Sequence, residues 1–164
     1  MLVSDGAAIL GLWFEGQKNA PRWLCECAEG DLNVFAEAET WLNMYFAGRN
    51  PEAFPPLRPE GTPFQKKVWA ILQTIPYGST VTYGAIASRL AGQTGTGRMS
   101  AQAVGRAVGR NPISILIPCH RVVGADGGLT GYAGGLDRKR ALLSLEGSLP
   151  AVKAAMAITG KNPP

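Results

Sequence analysis

A thiol stands directly beside the only imidazole of the chain, at Cys119 and His120. Carbon is attacked by the thiolate rather than the thiol, and a free cysteine has a pKa near about 8.5. A histidine that accepts the proton, itself oriented by a carboxylate, is a common way to generate that thiolate. Residues 61–164 hold three acidic side chains, Asp126, Asp137 and Glu146. Glu146 follows an apolar helical stretch that has to pack inward, which brings it within range of His120. The reading is a Cys119–His120–Glu146 relay. Adjacency sets a condition, because neighbours on an extended strand point to opposite faces. Either Pro118 turns the chain, or a water bridges thiol and imidazole. A buried structural cysteine beside a core histidine fits the same two residues. The other cysteines, Cys25 and Cys27, are too close for an easy mutual disulfide and read as reduced strand residues. With one histidine in the chain, no zinc set is expected.

The elements that position these groups follow from pattern. Ile9–Phe14 reads as a strand and Arg22–Cys27 as its partner. Residues 32–46 carry Phe35, Ala38, Leu42, Tyr45 and Phe46 at helical spacing. Pro51, Pro55, Pro56 and Pro59 make a stiff connector. Beyond it, Thr62-Pro63 starts a helix with Val68, Trp69, Ile71, Leu72 and Ile75 on one side. A second helix is expected from the cap Thr82 to Leu90, and a third over 101–109, capped by Ser100. Two short helices joined by a turn resemble a helix-turn-helix, here with a long turn. Arg98, Arg106 and Arg110 surround the later helix. Ile113–Ile117 reads as a buried strand, 124–135 as glycine-rich turns with a short hairpin, and 136–146 as a final helix. The expected class is α+β: residues 1–55 a small sheet-plus-helix domain, 56–150 a mainly helical, winged-helix-like domain, and 151–164 a tail with one or two helical turns at most.

Bulk composition sets limits on partners. The chain has 164 residues, 46% of them hydrophobic, and a mean hydropathy of +0.02. It has no run of the about 18 apolar residues that a membrane span needs, and its start lacks a secretory pattern, so a cytoplasmic address is expected. Residues 1–60 carry four basic against nine acidic side chains, net −5, whereas residues 61–164 carry twelve against three, net +9. A polyanion is expected to contact the second half, although a solvated surface accounts for such a charge just as simply.

Pro118-Cys119-His120-Arg121-Val122 resembles the signature of the O6-alkylguanine-DNA alkyltransferases, also called methylated-DNA–protein-cysteine methyltransferases. Gly61-Thr62-Pro63-Phe64-Gln65, Ile75-Pro76-Tyr77-Gly78, Thr82-Tyr83-Gly84, Ala103-Val104-Gly105, Asn111-Pro112, the stretch Gly131–Gly135 and the stretch Leu142–Gly147 are similar to that family too, in order and spacing. Trp13–Lys18 is similar to the amino-terminal domain of its bacterial members. The resemblance implies irreversible, single-turnover repair of O6-alkylguanine, and of O4-alkylthymine if the pocket admits it. Cys119 becomes the alkyl acceptor, His120 its water-mediated base and Glu146 the orienting carboxylate. Asn111 holds the active-site turn, and Tyr83 favours extrusion of the nucleotide and donates a proton as guanine leaves. Val108, Tyr132, Ala133 and Gly134 line the base pocket. Ser100, Ala101, Gln102, Gly105, Arg106, Arg110 and Arg121 contact double-stranded DNA, with helix 101–109 in the minor groove. No cofactor, metal or membrane is implied, and the protein is expected to act as a monomer.

The sequence departs from the family twice. Gln102 stands where many members carry an Arg that fills the gap left by the flipped base. The amino-terminal sheet is expected to be one strand short. A non-catalytic helix-turn-helix protein that binds alkylated DNA is the alternative from another class, and a cysteine hydrolase a third that lacks a second His and an obvious oxyanion loop.

Overall fold

The computed structural model describes residues 1–18, 20–21, 28–95 and 97–149. The partner strand expected at 22–27 and the tail at 151–164 lie outside them. In chain order the elements are β1 (Leu2–Ser4), β2 (Ile9–Leu12), α1 (Asn33–Phe46), α2 (Pro63–Gln73), β3 (Val81–Thr82), α3 (Tyr83–Thr94), α4 (Ala101–Gly109), a 3-10 turn at Cys119–Arg121, β4 (Val122–Val123) and α5 (Leu136–Leu145). The mixed α+β class expected from the sequence is the class observed.

Helix starts are written in the residues that cap them. Thr62 and Gln65 form a reciprocal capping box at α2, with Pro63 in its first turn. The Thr82 hydroxyl accepts from the Ala85 N–H to open α3, and Ser100 accepts from the Ala103 N–H to open α4. Helix α3 runs one turn past the expected Leu90 and stops at Gly95, whose φ of 66° is left-handed.

Strand β2 ties the two halves of the chain together. It pairs with β1 antiparallel, with a bulge between Val3 and Ser4. Its other edge bonds to the connector, Ile9 N–H to the Pro56 carbonyl and Arg58 N–H back to Ile9. It bonds also to the segment ahead of the cysteine, Leu12 N–H to Pro112 and Ser114 N–H to Leu12. One apolar cluster then runs from Ile9, Val34, Trp41 and Tyr45 through Trp69, Leu72, Ile86 and Val104 to Ile117, Val122 and Leu142. The Trp69 indole donates to the Ala107 carbonyl at 2.9 Å, fixing α2 against α4. Fully burying a side chain of this size contributes about 1.5–3 kcal/mol.

Ile113–Ile117 is a tight turn rather than a strand. Ile117 N–H bonds to the Ile113 carbonyl, and Ile115 sits at φ 68°. A β-branched residue there is strained by about 1–3 kcal/mol. Asn111 overrides the β-propensity by capturing the carbonyls of Ile113 and Ile117 at 3.2 and 2.8 Å. The hairpin expected in 124–135 is also absent among the described residues. Val122 and Val123 pair instead in parallel with Val81 and Thr82, and the glycines after them close a turn from Gly124 N–H to the Gly128 carbonyl. That short parallel pair sets the start of α3, with Tyr83, beside the turn that carries Cys119.

Candidate active site

Cys119 opens the 3-10 turn after Pro118, so it and His120 do not lie on an extended strand; the Cys119 sulfur bonds to Asn111, and His120 Nδ1 has no partner among the described residues. Cys119 is 5% exposed, and its sulfur accepts an N–H from Asn111 Nδ2 at 3.1 Å. Asn111 is buried, and its Oδ1 also accepts from Ile113 N–H at 3.0 Å. One amide therefore clamps both the turn and the thiol. Burial pushes the Cys119 thiol up, against the Asn111 bond and the nearby Lys139 ammonium, which favour the thiolate. The resting group is the thiol, and ionising it needs a base.

His120 and Glu146 meet in the buried interior. His120 Nε2 is 2.7 Å from Glu146 Oε1, and both side chains are fully buried. Burial alone would raise the Glu146 carboxyl, but hydrogen bonds from His120 and Arg121 hold it down at about 2. Arg121 supplies two of them, Nε to Oε2 at 2.9 Å and Nη2 to Oε1 at 3.0 Å. The Gly78 N–H adds a donor at 3.2 Å and the Tyr45 hydroxyl another at 2.7 Å. An ionised carboxylate only accepts, so the imidazole proton sits on Nε2. His120 Nδ1 is left as a lone pair with no hydrogen-bond partner among the described residues. Burial lowers the pKa of His120 despite the Glu146 bond, which keeps the ring neutral and able to accept a proton.

Arg121 is a correction to the expected DNA contacts. It is 7% exposed, and its third donor, Nη1, reaches the Ile75 carbonyl at 2.6 Å. A guanidinium satisfied by a buried carboxylate and a carbonyl has no face left for phosphate. Val108, expected in the pocket, is buried in the apolar cluster and does not line the groove described next. Ser100 is exposed and occupied as the cap of α4, and Arg110 is exposed at its far end.

A groove of about 800 Å3 lies between α4 and the loop at 130–133. Its walls include Tyr83, Ala101, Gln102, Gly105, Arg106, Tyr132 and Ala133, along with Lys18 from the first half of the chain. The Tyr83 hydroxyl donates to the carbonyls of Thr130 and Gly131 at 3.2 and 3.3 Å. Burial raises Tyr83 and Tyr132, and ionisation of Cys119 would raise both further. Gly134 is buried beneath the loop, where an added Cβ would lie 2.7 Å from the Tyr132 ring and 2.9 Å from Phe14. Only glycine fits there. Arg138 locks the same corner, donating to Gly134 and Glu15 carbonyls over the face of Phe14.

Sequence reasoning missed Lys139, Tyr45 and Lys18. Lys139 is fully buried, with Nζ donating to Val122 at 2.6 Å and Thr130 at 2.8 Å, and burial lowers its pKa to about 8. A cation three and four residues ahead of the buried Leu142 and Leu143 was the available signal, since those spacings share a helix face. Tyr45 was read as a core aromatic, and nothing in the helical pattern tells a phenol from a phenyl. Lys18 is separated in sequence from every other groove residue. Among the described residues no group of three or more His, Cys, Asp or Glu could hold a metal ion, and no helix is long and apolar enough to cross a membrane.

Residues 63–148 match the family model described as 6-O-methylguanine DNA methyltransferase, DNA binding domain. A relative from Mycobacterium bovis, named methylated-DNA–protein-cysteine methyltransferase, is 53% identical over 118 residues, covering 72% of this chain and 68% of the relative. One of the same name from Haemophilus influenzae is 43% identical over 150 residues, covering 89% and 79%. The crystal structure of Mycobacterium tuberculosis OGT in complex with DNA superposes with a TM-score of 0.78 at 45% identity, covering 90% of this chain and 85% of that one.

Proposed function

The chain belongs to the methylated-DNA–protein-cysteine methyltransferase family, and from that footing we propose that the sulfur of Cys119 is its alkyl acceptor. The protein binds DNA and repairs it by alkyl transfer. Its substrate is a duplex carrying O6-alkylguanine, entered from the minor groove by α4 and used by a monomer. The observation that carries this reading is the order of the buried groups. Glu146 fixes the His120 proton on Nε2, which leaves Nδ1, without a partner among the described residues, as the imidazole nitrogen that takes the thiol proton.

A stacked base hides its O6 substituent, so the nucleotide must rotate out, at a cost of a few kcal/mol. The groove beside Tyr83 and Tyr132 receives it. The small faces of Ala101 and Gly105 let α4 lie close to a narrow groove, and Gln102 can hydrogen-bond the orphaned partner base. The Cys119 proton passes through solvent to His120 Nδ1. The S–C bond forms as the C–O6 bond breaks, and the electron pair goes to guanine. Tyr83, held neutral by its raised pKa, supplies the proton guanine needs, and the relay restores it. The balance closes: guanine gains the Tyr83 proton, and the thiol proton taken up by His120 returns through solvent to the Tyr83 oxygen. Oriented donors matter most where charge develops, in a site poor in water. A thioether has no leaving group that this site can activate, so each molecule reacts once. A reduced thiol fits a cytoplasmic setting.

The test is a pair of measurements on a methylated-guanine duplex with wild type and Cys119→Ser. The reading expects binding by both and loss of the lesion only with wild type. Repair by Cys119→Ser would refute it, and binding without repair by wild type would favour the non-catalytic alternative.

A further inference from the structure

Tyr45 lies on α1, in the half of the chain that supplies none of the chemistry just described, yet its hydroxyl reaches the middle of the relay. The residue is fully buried. Its oxygen is 2.7 Å from Glu146 Oε1 and 3.3 Å from His120 Nε2. The ring stacks on Trp41 at 5.3 Å and 12°, and meets Phe46, Tyr77 and His120 edge-on at 5.5, 6.0 and 6.4 Å. Held on so many sides, the phenol cannot swing away from the carboxylate.

Its role follows from proton bookkeeping at one oxygen. Glu146 Oε1 takes three donors: the Tyr45 hydroxyl, His120 Nε2 and Arg121 Nη2. Each donor spreads the carboxylate charge and weakens its hold on the others. Burial and Glu146 push the ionisation of Tyr45 far above its ordinary value, so it remains a neutral donor across the working range. Resting on the alkyl-transfer reading above, we propose that Tyr45 is a positioning residue of the proton relay. By taking a share of Oε1, it limits how strongly Glu146 draws a second proton onto His120.

That limit has a use. If Glu146 held the imidazole too strongly, His120 would already be imidazolium near neutral pH and could not accept the thiol proton. The charged and titratable groups around His120 divide clearly. Glu146 at the end of α5 favours the second proton, while Arg121 on the same turn and Lys139 on α5 oppose it. Cys119 is the proton's source. Tyr77, after α2, faces Glu146 and Arg121. Tyr45 is the neutral donor that tempers Glu146, and it comes from the other half of the chain. The first half thereby takes part in setting the reactivity of a cysteine it does not carry.

The chain has one histidine, so its imidazole resonances belong to His120 without further assignment. Tyr45→Phe keeps the stacked ring and removes only the hydroxyl. The expected result is a His120 titration midpoint at higher pH than in wild type. The transfer rate should fall roughly threefold to tenfold at pH values below the shifted midpoint and stay within about twofold well above it, a factor of ten being one pKa unit. Trp41→Phe loosens the stack without touching the hydroxyl; it should lower thermal stability and leave the midpoint in place. An unchanged midpoint and unchanged pH profile in Tyr45→Phe would overturn the proposal, as would an equal shift in Trp41→Phe. The titration needs no DNA, so a wild-type protein that fails to transfer alkyl groups would sink the alkyl-transfer reading separately.

Discussion

Replacing Arg121 by Met separates a structural role from a DNA-binding one. The change removes three charge-assisted donors: Nε to Glu146 Oε2 at 2.9 Å, Nη2 to Oε1 at 3.0 Å, and Nη1 to the Ile75 carbonyl at 2.6 Å. Breaking a buried ion pair from one side costs about 3–5 kcal/mol. Glu146 keeps its bonds from Tyr45, His120 and Gly78, and the Met stem fills part of the volume, so the low end applies, about 3 kcal/mol against a usual total of about 5–15. For a chain of this size that lowers Tm by about 6–12 °C. Urea unfolding followed by tryptophan fluorescence measures the loss, and binding to undamaged duplex at several salt concentrations measures the rest. A phosphate contact would change the slope of log K against log salt by about 0.9. With Arg121 committed to Glu146, the slope stays as in wild type. A stability loss below about 1 kcal/mol, or a slope smaller by about one phosphate, would refute the reasoning.

Other outcomes follow from the same geometry. Lys18→Gln and Arg106→Gln, both in the lining of the groove, should each reduce that salt slope by about 0.9, and unchanged slopes would remove them from the DNA surface. Asn111→Ala loses the bonds to Ile113, Ile117 and Cys119; it should destabilise by about 2–3 kcal/mol and slow transfer at least tenfold, and a folded variant with the wild-type rate would contradict the clamp. Glu146 is held at about 2 from an ordinary 4.5, so its contribution is complete above pH 4.5 and lost as pH falls toward 2; acid titration of stability should show this window in wild type and shrink it in Arg121→Met. Lys139 is lowered to about 8 from 10.5, so the unfolded chain binds the extra proton between those values. Stability of wild type relative to Lys139→Met should therefore rise through that window, and a flat difference would count against the buried cation.

How much of this was legible in the sequence depended on whether the signal was local. Thr62-Pro63, Thr82 and Ser100 announced three helix starts because a cap is a bond to a backbone two or three residues away. The His120–Glu146 pair was legible through chemistry, since one imidazole and the three acids of the second half left few ways to orient that ring. Ile113–Ile117 misled because its β-branched run is a strand by propensity, and the side-chain amide of Asn111, two residues before it, outweighs that propensity by bonding both ends of the turn. Arg121 was placed among the DNA contacts by the family resemblance, and only the packing of α5 reveals the carboxylate it meets. Tyr45, Lys139 and Lys18 are tertiary placements: Lys139 meets carbonyls 9 and 17 positions away, Tyr45 meets a carboxylate 101 positions away, and Lys18 joins a groove otherwise built from the second half of the chain.

The central claim is that one sulfur accepts one alkyl group and does not release it. Incubating the protein with an excess of O6-methylguanine duplex, then weighing the intact chain and its peptides, tests that claim directly. The account predicts a plateau at one added methyl per chain, confined to the peptide that holds Cys119. Methyl gain on any other residue, or continued loss of lesion beyond one per chain, would contradict it.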